Sequence, residues 1–137
     1  MFDVVAFNEG ALAFTIAFVT AGAFLLAFRL VYQALTPHRE RELIRAGNAA
    51  AAVTLGGAMI GYVIPLATAL TQTASLYEFA AWAALAGLIQ IAVFLAVRRL
   101  RFPDLSQRIE RGEIAPALYL SSLSLAVGLL NAASMTA

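Results

Sequence analysis

Hydrophobic positions along this chain gather into four long runs separated by short polar interruptions. The runs cover residues 10–28, 49–70, 79–97 and 114–133. Each is close to the roughly 20 residues that a helix needs to cross a hydrocarbon core. None of the four contains Asp, Glu, Lys, Arg or His. A soluble bundle helix needs a polar face, and these runs offer none. The pattern therefore predicts an all-α, polytopic membrane protein with a single membrane domain over residues 1–137. Its four transmembrane helices fall at about 10–35, 47–70, 77–98 and 113–134 when polar flanks are allowed to extend each span.

The polar interruptions are informative in their own right. Residues 36–48 read TPHRERELIRAGN, and five of these thirteen are charged. Thr36 suits an N-cap and Pro37 the first helical position. Glu42 and Arg45, three apart, can pair on a helix surface. Leu43 and Ile44 then face the membrane, and the short amphipathic helix ends at a soft point near Gly47. Such a segment either fixes orientation as solvated charge or offers a partner or lipid-headgroup site. A similar stretch, RFPDLSQRIERGEIAPA, returns at 101–117. Pro37 matches Pro103, Ile44 matches Ile109 and Gly47 matches Gly112, all about 65 residues apart by position. The chain thus looks like a duplicated two-span hairpin, with units at 8–72 and 73–137. An even number of spans per unit keeps both copies in one orientation, with a pseudo-two-fold axis along the membrane normal.

Charge orients this scheme. All nine basic residues are arginine. Arg29, Arg39, Arg41 and Arg45 surround the first interruption. Arg98, Arg99, Arg101, Arg108 and Arg111 surround the third. The two ends and the 71–78 connection have none. Short basic loops stay cytoplasmic, so both termini are expected on the outer side of the membrane. Asp3 and Glu9 near the start, with no basic residue, argue against a cleavable signal.

Small residues four apart bring helix backbones close in lipid. Gly57/Gly61 in the second span and Ser124/Gly128 in the fourth are the strongest such pairs. Ala83/Gly87 and Ala17/Ala21 are weaker in so alanine-rich a chain. The intramembrane polar residues are neutral: Asn48, Thr54, Gln90, the span-four serines 121, 122 and 124, and Asn131. An interhelical hydrogen bond is the ordinary use of Gln90, and a pore lining the alternative. Pro65 removes the helical donor of the Gly61 carbonyl and should kink the second span. Asn131, at matching depth in the fourth span, is expected to donate to a carbonyl near Gly61 or Tyr62. Tyr77 and Trp82 fit an interfacial anchor.

Little else carries chemistry. There is no cysteine and a single histidine, His38. No metal or cofactor is expected. No nucleophile triad, phosphate loop or dinucleotide fingerprint is present. Arginines without interleaved aromatics give no support for nucleic-acid binding.

One resemblance covers nearly the whole chain. Thr36-Pro37-His38, Leu43-Ile44, Asn48, Gly57 and the run Gly61-Tyr62-Val63-Ile64-Pro65-Leu66 resemble the YjfL-like inner-membrane family of bacteria. Ala81-Trp82, Ile89-Gln90, Gly128 and Asn131-Ala132-Ala133-Ser134-Met135-Thr136 continue the likeness. The resemblance implies a duplicated two-helix domain of unknown function, four spans and inner-membrane residence. It points to envelope maintenance as the setting. Ser134 stands where some relatives are expected to carry cysteine, so a thiol role there is not general. The expected function is non-enzymatic. The chain would act through assembly, with copies of itself or as an accessory subunit of a membrane complex in the lipid bilayer. An oligomeric channel or transporter component is the alternative.

Overall fold

The computed structural model describes residues 1–36 and 39–137. Pro37, the expected first helical position, and His38 lie outside the described residues. Among the described residues six helices follow one another: α1 (Val4–Leu35), α2 (Glu40–Arg45), α3 (Ala49–Gln72), α4 (Leu76–Arg101), α5 (Leu105–Glu110) and α6 (Ile114–Met135). No strand occurs among the described residues. The four long helices are each apolar and long enough to cross a membrane.

α1 starts six residues earlier than hydropathy places its span. Asp3 explains this, because its carboxylate accepts from the Val5 and Ala6 amides, at 3.0 and 3.2 Å, and so caps the helix. At 32 residues, α1 is about 48 Å long, well beyond a hydrocarbon core of roughly 30 Å. Its C-terminal end also differs from expectation. Thr36 does not begin α2; it closes α1, donating its hydroxyl to the Tyr32 and Gln33 carbonyls. α2 instead begins after Arg39. Glu42 pairs backward with Arg39 at 3.5 Å rather than forward with Arg45, and both partners are exposed, so the pair contributes little.

The two polar interruptions are built alike. α2 and α5 each have six residues. Gly47 and Gly112 follow them with φ of 89° and 80°, the left-handed conformation that glycine adopts without strain. The Gly47 amide donates to Ile44 and the Asn48 amide to Leu43; the Gly112 amide donates to Ile109 and the Glu113 amide to Arg108. Each is a Schellman closure that turns the chain directly into the next long helix.

α3 sits at the centre and packs against every other helix, most extensively against α6. Its alanines and glycines explain the intimacy, since small side chains let backbones approach. α1 joins through aromatic rings at a spacing of four. Phe24 meets Phe79 edge-on at 5.6 Å, Phe28 stacks on Tyr62 at 4.5 Å and Tyr32 tilts against Phe94 at 4.8 Å. Such ring pairs contribute about 0.5–1.5 kcal/mol each beyond area burial. Beyond this stripe α1 buries nothing else fully.

Candidate functional site: a polar glycine crossing at membrane depth

α3 and α6 run parallel, and their small residues meet at one crossing. A Cβ added at Gly57 would fall on the Ser121 side chain and lie 2.6 Å from its Cα. One added at Gly61 would lie 2.5 Å from the Ser124 carbonyl oxygen, and one at Gly128 would fall on the Gly61 carbonyl oxygen. The structure thus brings Gly57, Gly61, Ser124 and Gly128 together, with Ser121 as the direct partner of Gly57. Pro65, fully buried, sits within α3, which continues unbroken through it. Its missing N–H removes the helical donor of Gly61 O, and that carbonyl faces the Cα of Gly128. A Cα–H···O contact is what a glycine can offer there and no other residue can.

Around this crossing lie the buried polar side chains. Gln90, on α4, donates its Nε2 to the Ser124 carbonyl at 3.2 Å. Asn131 corrects the expectation for it. It turns toward α4, not α3, donating Nδ2 to the Ala86 carbonyl at 3.1 Å, with Gln90 Oε1 at 3.5 Å. The Gly61 carbonyl is already covered by Gly128, so the free donor serves the neighbouring helix. Tyr62 crosses the other way, from α3, and donates its hydroxyl to the Ala83 carbonyl at 2.8 Å. Its ring also packs on Gly87, where a Cβ would come within 3.3 Å of it. Thr54 is buried and bonds within its own helix, to Ala50. Gln90 and Asn131 are therefore turned onto protein partners. Together they fasten α4 to α6 where water is absent and an unmet polar group is costly.

The arginine-rich end forms a second polar layer. Asn48 caps α3 through the Ala51 amide and donates Nδ2 to Ile109 O at 2.8 Å, tying α5 to α3. Arg98 donates to Leu35 O at 2.8 Å and so closes the C-terminus of α1 from α4. Glu113 gathers Arg108 and Arg111 at 3.3 and 3.0 Å. Arg39, Arg41, Arg45, Arg99 and Arg101 lie on the same end. Glu40, which reads as part of a solvated charge run, is 2% exposed and lies beside the Tyr32 hydroxyl, which is itself within electrostatic reach of Arg98. Pattern alone misses it, because its burial comes from tertiary contact, with Tyr32 of α1 beside it and α2 packed on α3. At the opposite end Tyr77 is fully presented to the surroundings and Trp82 partly so. No cluster of metal-ligating side chains exists among the described residues.

A family described as Domain of Unknown Function (DUF350) matches residues 6–135. The UPF0719 inner membrane protein YjfL of Escherichia coli (strain K12) is 38% identical over 128 residues, covering 93% of this chain and 96% of the relative. The protein of the same name from Escherichia coli O157:H7 is similar to the same degree. No solved structure matches the chain.

Proposed function

The chain belongs to the DUF350 family, and on that premise we propose that it acts by assembly in the inner membrane, without catalysis. It binds copies of itself or serves as an accessory subunit of a larger membrane complex, with envelope maintenance as its setting. The protein is a four-span inner-membrane protein. The observation that carries the assembly reading is the state of α1. Only Phe28 and Tyr32 of its 32 residues are buried. Phe7, Phe14 and Phe18 are 57%, 69% and 68% exposed, and the rings of Phe14 and Phe18 stack on each other at 6.0 Å. An apolar helix longer than the bilayer core, docked only along its inner half, leaves a wide surface for another helix. The other polar groups of the bundle are spent on internal cohesion.

Orientation belongs to the same proposal. Both termini face the periplasm and both arginine clusters the cytoplasm, supported by nine arginines on one end of the bundle and none on the other. A periplasm-dependent reporter fused after Ala137 should be active and one inserted at Arg41 silent; the reverse would overturn the orientation.

The chain has no cysteine, so a single introduced thiol is a clean probe of assembly. Phe14→Cys should give an oxidative cross-link in native membranes, to itself or to a second protein. Leu130→Cys, 70% exposed on α6, should not. No adduct from Phe14→Cys, or equal adducts from both, would sink the assembly reading.

A further inference from the structure

Most arginines near the polar end have an identifiable use or lie in open solvent. Arg39 pairs with Glu42, Arg108 and Arg111 with Glu113, and Arg98 with a backbone carbonyl. Arg29 differs. It lies on α1 six residues before the helix ends, about 9 Å deeper along the axis. Its Nε is buried and has no hydrogen-bond partner. Arg41, from α2, lines the same cavity of about 190 Å³. Neither guanidinium has an ion pair among the described residues.

Two like charges facing one small cavity, one of them partly desolvated, are unfavourable until an anion joins them. The rest of the cavity says what kind of anion. Gln33 adds a neutral hydrogen-bonding group at the polar end. Leu26 and Leu30, one turn apart on the same face of α1 as Arg29, line the rest of the cavity and are 55% and 58% exposed toward the apolar surroundings. A free polar anion has no use for that lining, whereas an acyl chain does. We propose that Arg29 and Arg41 form a headgroup site for an anionic glycerophospholipid. The phosphate sits between the two guanidiniums and an acyl chain lies along Leu26 and Leu30. Basic pockets between helices at a membrane boundary hold acidic lipids by this combination. The site adds a lipid bridge between the amphipathic α2 and α1 beside the contact of Glu40 with Tyr32. It stands independently of the assembly reading.

Native mass spectrometry of the full chain in mild detergent tests this, with phosphatidylglycerol, phosphatidylcholine and inorganic phosphate added in separate titrations. Wild type should retain one phosphatidylglycerol per chain in clear preference to phosphatidylcholine. Arg41→Gln lies outside the membrane core and should not impair insertion. It should weaken phosphatidylglycerol binding about fivefold, and Arg29→Gln/Arg41→Gln by more than tenfold. The charge-matched control Arg45→Gln/Arg101→Gln, at two exposed positions, should stay within about twofold of wild type, because diffuse surface charge adds little to a built site. An equal loss in that control would mean general attraction of charge and overturn the proposal. So would equal retention of phosphatidylcholine, or inorganic phosphate binding with the same dependence on Arg41.

Discussion

Replacing Gly128 by alanine adds one methyl group where the backbones of α3 and α6 approach most closely. That carbon falls on the Gly61 carbonyl oxygen and lies 3.0 Å from its carbon and 3.1 Å from its Cα. All three atoms are backbone, so no rotamer change relieves the overlap and the two helices must separate. Overpacking of this kind costs about 1–3 kcal/mol. The lost Cα–H···O contact adds about 0.5–1 kcal/mol, and the better helix propensity of alanine returns a similar amount. The net expectation is a loss of about 1–3 kcal/mol. Gly56→Ala is the matched control, since its Cβ would meet nothing within 4 Å. It should be neutral or stabilising by up to about 1 kcal/mol. Both variants can be unfolded in mixed micelles by rising dodecyl sulfate, followed through the single tryptophan, Trp82. If Gly128→Ala unfolds with wild type, or if Gly56→Ala falls as far, the close backbone crossing does not hold the bundle together.

Asn131→Leu and Gln90→Leu should each destabilise the bundle by about 0.6–2 kcal/mol. Because the two amides touch, the double variant should lose less than the sum, and strict additivity in the same unfolding assay would argue against a shared network. Tyr62→Phe removes only the hydroxyl bond to Ala83 and should cost about 0.5–1.5 kcal/mol, with the ring stack on Phe28 retained. Gly47→Ala and Gly112→Ala should each lose about 1–2 kcal/mol from the left-handed strain, while asparagine at the same positions loses visibly less; equal alanine and asparagine values would remove the conformational explanation.

The parts of this fold that depend on depth were legible from pattern. Four uncharged runs give four long helices, and glycine punctuation at 47 and 112 marks where each short helix turns into a span. What depends on rotation about a helix axis was not. Asn131 lies at the depth expected of it, but depth does not say which neighbour it faces. Gly128 had already covered the carbonyl that Pro65 released. Tyr62 reads as one residue of an apolar run, yet its hydroxyl reaches across to α4 because Gly87 leaves room for the ring. The start of α2 departs from the pattern for a local reason. The Thr36 hydroxyl bonds back to the preceding turn, so the same residue type that begins helices here ends one. The pair of Arg29 and Arg41 is equally hidden, since they are twelve positions apart and line one cavity only in the folded bundle.

Assembly is tested most directly by the mass of the particle released from native membranes in the mildest detergent that dissolves them. A self-associating or partner-bound chain gives a particle at two or more times the 14.5 kDa of one copy, or one copy joined to a second protein, after bound lipid is subtracted. Phe14→Asp on the exposed face of α1 should reduce it to the single chain. A 14.5 kDa particle with lipid alone, unchanged by Phe14→Asp and across several detergents, would contradict a function built on assembly.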